Sequence, residues 1–229
     1  MCQLAAQHGT GRVTAVSHQN DQWPRANRAS ILSACAELRQ RLSEARIDLE
    51  VVPAGEVLLD PDLKTRLNDG ELLTIGDHGK HLLVEFPPSF SVDVSPLFRQ
   101  LIDLGVRPVL AHPERYEHLV AQSGAIEALI ESGALMQVNA GSVTGGSLRR
   151  QKVIQDWFQR GIVHLIGSDG HRLTRRKPVV DEAFKVVNRW IGKEQAEAIF
   201  CTNGAAILEG KQLHPPPPRP RKKKRLGWF

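Results

Sequence analysis

Short apolar runs alternate with longer amphipathic stretches along nearly the whole chain. Runs at 12–16, 47–52, 72–75, 81–86, 108–111, 135–138 and 162–166 are four to six residues long and rich in Val, Ile and Leu, the pattern of buried strands. Between them, 24–45, 60–70, 95–104, 125–132, 147–160, 178–191 and 194–200 place apolar residues at helical spacing, as in Ile31, Cys35, Leu38 and Leu42. Residues 72–75 and 81–86 read as a strand pair around the turn 76–79. Residues 1–8 read as a helix closed by Gly9, with no strand before it. A regular strand–helix alternation predicts an α/β fold with a largely parallel sheet of six or seven strands, either a barrel or an open wound sheet.

Composition changes this picture at one end only. At 229 residues the chain is long enough for one full core, and it divides into a domain at 1–210 and a Pro-rich basic tail at 211–229. The tail carries seven of the 30 basic residues and no acid, so 1–210 holds 23 basic against 25 acidic residues, a net charge of −2. That balance does not support a basic nucleic-acid-binding face on the domain. Four consecutive prolines followed by Arg-Pro-Arg-Lys-Lys-Lys-Arg predict an extended, disordered segment able to meet an acidic partner, RNA or an anionic membrane surface. No apolar run reaches the roughly 18–20 residues of a membrane helix. Three widely spaced cysteines, Cys2, Cys35 and Cys201, suit a reducing cytoplasm.

The candidate chemistry clusters at one position in the pattern. His18, Glu56, Glu85, His112, Asn139, Asp169 and His171 all fall just past expected strand ends, and in a parallel α/β fold those ends share the face that carries chemistry. Taken singly, each has a structural explanation: His18 as a loop residue, Glu56 as a helix cap, Asp169 as a turn residue. Glu85 lies inside an apolar run, where an unpaired carboxylate is costly and a cation would offset the cost. Mixed imidazole and carboxylate donors suit Mn²⁺, Fe²⁺ or Zn²⁺, and more than four candidates predict a cluster of metals. Arg115, Arg175 and Arg176 add fixed charge of the kind that grips phosphate. His8, His78, His81, His118, His164 and His214 fall outside this set and are read as structural.

Four segments together carry a resemblance: Leu-Leu-Val-Glu85-Phe-Pro, Ala-His112-Pro-Glu-Arg115-Tyr, Gln-Val-Asn139-Ala-Gly-Ser and Ser-Asp169-Gly-His171. In this order and spacing they resemble the polymerase-and-histidinol-phosphatase (PHP) superfamily. Within it they are similar to the bacterial metal-dependent tyrosine phosphatases of capsule and exopolysaccharide synthesis. The resemblance implies a distorted (β/α)7 barrel holding a metal cluster, usually manganese, that hydrolyses phosphotyrosine proteins, a bacterial tyrosine kinase among them. It implies His18, Glu56, Glu85, His112, Asp169 and His171 as metal ligands, and Arg115 with Arg175 or Arg176 as phosphate holders. Departures are Val-Ser-His18 for the family's Thr-Pro-His, Glu56-Val-Leu for Glu-Ile-Arg, and Gly170 for alanine. The family opens with an Asp-x-His-x-His strand, and Met1 aligns within the helix after it. The expectation is therefore an amino-terminally incomplete domain, short of one strand and two histidine ligands and prone to oligomerise through open edges.

Two other readings remain open at this point. One is a PHP phosphoesterase acting on small phosphates or nucleic acid; the other is a non-catalytic scaffold without its metal site. A cysteine phosphatase is excluded, since no cysteine is followed by a Gly-rich loop ending in arginine.

Overall fold

The structure is a computed structural model that describes residues 1–87 and 92–221. Six strands form one all-parallel sheet in sequence order: β1 (Arg12–Gln19), β2 (Glu50–Leu58), β3 (His81–Glu85), β4 (Arg107–Ala111), β5 (Leu135–Asn139) and β6 (Leu165–Gly167). The sheet curls into a half-barrel, with β1 and β6 at its two edges. Helices connect consecutive strands: α1 (Cys2–Gln7) before β1, then α2 (Arg28–Glu44), α3 (Leu63–Asn68), α4 (Ser95–Asp103), α5 (Glu117–Ala121), α6 (Ser123–Glu131), α7 (Ala140–Thr144) and α8 (Leu148–Arg160). After β6 come α9 (Asp181–Ile191), α10 (Lys193–Glu197), a π-turn at Ala198–Thr202 and α11 (Asn203–Leu208). None of the described helices is long and apolar enough to cross a membrane.

Period-2 alternation along the strands separates two apolar layers. Leu82, Val84, Leu110, Met136 and Val138 face the helices and pack with Phe98, Leu101, Ile126, Trp157 and Phe158. The alternate residues Leu83, Val109, Ala111, Leu135 and Leu165 form the concave face, covered by Ile75, Ile207, Leu208 and Leu213. Helix starts follow their caps: Asn27 Oδ1 accepts the Ser30 N–H at 2.9 Å, so α2 begins at 28 rather than 24. Ser147 Oγ accepts from Arg150 N and opens α8 as expected.

Three elements differ from the sequence expectation. β1 continues through Ser17, His18 and Gln19, because β2 supplies a partner for each of them up to Gln19↔Val57. An edge strand tolerates such polar residues on its open side. β2 starts at Glu50, since the Ile47 N–H closes the end of α2 on the Leu42 carbonyl at 2.9 Å. It runs on through Pro53 and Gly55, which lie ahead of the ladder to β3 that begins at Glu56. Residues 72–75 form no strand: Gly76 (φ +69°) and Asp77 (φ +60°) wind a 3₁₀ turn, and the Leu73 carbonyl instead accepts the Gly55 N–H at 3.1 Å.

Residues 211–221 carry neither helix nor strand and lie against the domain. Arg107 Nη1 donates to the Leu213 carbonyl, Arg160 Nε donates to the Arg219 carbonyl at 2.8 Å, and Arg219 N–H donates back to the Arg160 carbonyl at 2.8 Å. Arg107 opens β4, so this segment passes beneath the amino ends of the strands. The Lys-Lys-Lys-Arg run at 222–225 lies outside the described residues.

Candidate functional site

Parallel register brings four strands' chemistry to one end of the sheet. His18 pairs with Glu56 across β1 and β2, Leu58 pairs with Glu85 at the last residue of β3, and His112 follows the last residue of β4. The donor atoms of His18, Glu56 and Glu85 lie within 4.8 Å of one another. Glu56 is shared by two imidazoles, its Oε2 3.3 Å from His18 Nδ1 and its Oε1 3.3 Å from His112 Nε2. Glu85 Oε2 stands 3.5 Å from His112 Nε2 and 3.9 Å from His18 Nδ1.

His112 is buried and held in the left-handed region at φ +38°. A residue with a Cβ is rare there and costs on the order of 1–3 kcal/mol. The conformation is fixed by the His112 N–H on the Gln137 carbonyl at 2.8 Å and by Pro113 opening a 3₁₀ turn. The Tyr116 hydroxyl accepts the Phe86 N–H at 2.9 Å and lies 3.4 Å from His112 Nδ1. The ring is thereby turned so that Nε2 points at the two glutamates.

Electrostatics mark the cluster as short of positive charge. Burial disfavours a charged His112, yet Glu56 and Glu85 outweigh it and push the imidazole up to about 9. Its hydrogen bond to Glu85 in turn holds that carboxyl below the usual glutamate range, against the effect of burial. Two imidazoles and two carboxylates converging with a proton between them are a donor set that fits a divalent metal. His18, Glu56, Glu85 and His112 are the residues able to hold it.

Asp169 and His171 form a neighbouring group rather than part of that quartet. Asp169 Oδ2 accepts from Arg115 Nη2 at 2.5 Å, from Arg176 Nη2, and from Asn139 Nδ2 at 2.9 Å. Its other oxygen, Oδ1, faces His171 Nδ1 at 3.5 Å. Burial works against the Asp169 carboxylate, and Arg176 and Arg115 overcome it and lower its pKa. Arg115 links the groups, its charge acting on both Glu85 and His112. Asp169 (φ +48°) and Arg176 (φ +56°) share the left-handed conformation of His112. The 169–176 loop is closed by the His171 N–H on the Arg176 carbonyl at 2.8 Å. Arg175 is exposed and has no hydrogen bond or ion pair among the described residues. Gly170 has a local reason: a Cβ there would stand 2.9 Å from Pro178 Cα.

Sequence reasoning missed four residues of this site. Tyr116 orients His112; Glu114 is fully buried and its Oε1 accepts the Asn139 N–H at 3.1 Å; Gln137 Nε2 donates to Asn139 Oδ1 at 3.0 Å. Gln19, also buried, accepts the Leu73 N–H at 2.8 Å and fixes the carboxyl end of β1 beside His18. The remaining histidines lie elsewhere: His8 meets Asp181 at 3.1 Å, His78 Nε2 lies 3.0 Å from the Leu208 carbonyl, and His118 lies by Phe86 and Tyr116. His81 and His164 are buried at the strand amino ends.

Known proteins are similar to this chain in sequence and in fold. Tyrosine-protein phosphatase YwqE of Bacillus subtilis (strain 168) is 27% identical over 234 residues, spanning 100% of this chain and 90% of that protein. Tyrosine-protein phosphatase CpsB of Streptococcus agalactiae serotype III (strain NEM316) is 30% identical over 172 residues, 72% of this chain and 70% of that protein. A chain from the crystal structures of YwqE from Bacillus subtilis and CpsB from Streptococcus pneumoniae, unique metal-dependent tyrosine phosphatases, superposes with a TM-score of 0.90. That match has 26% identity and covers 97% of this chain and 90% of the other. The family model for capsular polysaccharide synthesis, CpsB/CapC, matches residues 1–209, and the chain belongs to that family.

Proposed function

We propose that this protein is a metal-dependent protein-tyrosine phosphatase acting on phosphotyrosine proteins of capsule or exopolysaccharide synthesis, with a bacterial tyrosine kinase as the expected partner. The carrying observation is the His18, Glu56, Glu85 and His112 quartet lying beside Arg115, which shares Asp169 with Arg176, at the carboxyl ends of one parallel sheet. Manganese is the expected metal, with iron or zinc as substitutes the same donors accept. A bound divalent metal would supply Lewis acidity and a lowered water pKa for attack on phosphorus.

The chain's own residues do the remaining work. Glu56 and Glu85 bring the negative charge that holds a cation, and the Tyr116 contact keeps His112 Nε2 aimed at it. Asp169 and His171 complete the ligand set from the adjoining loop. Arg115 and Arg176 converge on Asp169 Oδ2, so a phosphate entering there meets two guanidiniums already oriented. Arg175, next to Arg176 in the same exposed loop, is the alternative candidate for this phosphate-holding role. The cytoplasm, where the kinase's phosphotyrosine would be displayed, is the proposed compartment. Residues 211–221 pass beneath the strand amino ends, and the basic tail is read as an accessory contact for acidic partners, RNA or anionic surfaces.

The test is a substrate panel with the purified protein and added Mn²⁺. Phosphotyrosine peptides should be hydrolysed in preference to phosphoserine peptides, sugar phosphates and oligonucleotides. A preference for small phosphates or nucleic acid would make it a different phosphoesterase. Absence of bound metal together with no hydrolysis would leave a scaffold.

A further inference from the structure

Asn139 ends β5 without pointing at the histidine–glutamate quartet, and none of the site roles above includes it. Three separate groups nevertheless fix it. Its backbone N–H donates to Glu114 Oε1 at 3.1 Å, its Oδ1 accepts from Gln137 Nε2 at 3.0 Å, and its Nδ2 donates to Asp169 Oδ2 at 2.9 Å. Asn139 is 3% exposed and Glu114 0%, so neither finds these partners in water. Gln137 leaves the side-chain amide only one orientation, because its donor occupies Oδ1 and forces the Nδ2 hydrogens toward Asp169. Gly167, opposite Asn139 in the ladder, leaves room for this, since a Cβ there would stand 2.6 Å from Gln137 Nε2.

The consequence falls on Asp169. Its three donors, Arg115, Arg176 and Asn139, all meet the same oxygen, Oδ2. Oδ1 is left on the side of His171. Arginine side chains on a surface loop are long and exchange partners readily, whereas Asn139 is short, buried and pinned at both ends. We infer that Asn139, clamped by Glu114 and Gln137, is a positioning residue that fixes the Asp169 carboxylate, presenting Oδ1 to the metal centre and Oδ2 to the phosphate-binding arginines. This rests on the proposed reading of Asp169 as a ligand. Partners that orient a metal ligand from behind are worth about 10- to 100-fold in metal affinity.

The test is a mutant cycle read by equilibrium dialysis against Mn²⁺ alone. Asn139→Ala should weaken Mn²⁺ binding about tenfold. Glu114→Met, which keeps the volume and removes the acceptor, should weaken it similarly. The double variant should lose less than a further twofold, because both act through one amide. Glu114→Gln keeps an acceptor for the Asn139 N–H and should restore most of the affinity, whereas a purely space-filling role would leave Glu114→Met and Glu114→Gln binding Mn²⁺ alike. Should Glu114→Met fail to unfold cooperatively, Gln137→Met takes its place in the cycle. Asn139→Ala binding Mn²⁺ within twofold of the parent, or losses that simply multiply, overturns the inference. A parent protein that binds Mn²⁺ but does not hydrolyse phosphotyrosine overturns the functional reading alone, and the cycle still decides this one. A parent that takes up no divalent metal overturns both.

Discussion

His112 Nε2 and Glu56 Oε1 stand 3.3 Å apart, and the proton that they share is the one a metal must displace. His112 is pushed up to about 9 in the fold, from 6.5 in an unperturbed histidine. With its folded value raised, its stabilisation is complete below about pH 6.5 and is lost as pH rises through about 9. The difference is on the order of 3 kcal/mol. Metal-stripped protein should therefore lose thermal stability between pH 7 and 10, and a His112→Asn variant should show a flatter profile. Saturating Mn²⁺ should remove the same dependence, because the ligand is then held unprotonated. Thermal unfolding at stepped pH, with and without metal, measures all three.

Removing the imidazole should cost metal and chemistry together. His112→Ala deletes the group that meets both Glu56 and Glu85, leaving two carboxylates facing each other with only His18 between them. Bound metal should drop, and hydrolysis should fall by about two orders of magnitude or more. Full metal content in that variant, measured by elemental analysis, would rule His112 out of the ligand set.

Acid should destabilise the domain through residues remote from the site. His81 and His164 are buried, and burial, reinforced by Arg107, lowers each to about 4; His78 and Lys80 add to the effect at His81. The unfolded chain takes up protons below about pH 6.5 that the fold refuses. Stability should thus decline as pH falls from 6.5 to about 4, by about 1.4 kcal/mol per pH unit for each histidine. Among the described residues, both ring nitrogens of His81 lack a hydrogen-bond partner. His81→Leu should be neutral or stabilising at pH 7 and should halve the acid slope in urea unfolding at pH 7, 6 and 5.

How far the sequence disclosed these groups depended on the range of the interactions involved. The strand-end positions of Glu85, His112 and Asp169 were legible because an apolar run followed by a polar residue is a local signal. His18 and Glu56 were placed past strand ends, yet they lie within β1 and β2. The polar stretch after Val16 and the pair Pro53 and Gly55 look like breaks until a partner strand is present to satisfy their backbone. The clamp on Asn139 was invisible, since Glu114 and Asp169 lie 25 and 30 residues away along the chain. No periodicity or composition encodes such a contact.

The final prediction separates two parts of the tail by where they touch the fold. Leu213 packs on the concave cluster that includes Leu83, Val109 and Leu135, and its carbonyl accepts from Arg107, which also donates to the Gly133 carbonyl at 2.9 Å. Further on, Arg219 exchanges two 2.8 Å hydrogen bonds with Arg160. Arg160 is 5% exposed and already pairs with Glu127. Ending the chain after Lys211 would expose part of the concave face and strip a carbonyl from each of two arginines, one of them buried. Apolar burial and charge-assisted hydrogen bonds of this kind give an expected loss of about 2–4 kcal/mol. For a domain of this size that corresponds to a fall of roughly 5–15 °C in melting temperature. Ending it after Arg221 keeps every one of these contacts and removes the four basic residues Lys222, Lys223, Lys224 and Arg225, so melting should shift by no more than about 1–2 °C. Metal binding should persist in both forms, because the segment passes beneath the strand amino ends and the quartet lies at the other end of the sheet. Paired melting curves of the two truncations against the full chain settle the matter; equal melting in all three would show that the strap adds nothing to the fold.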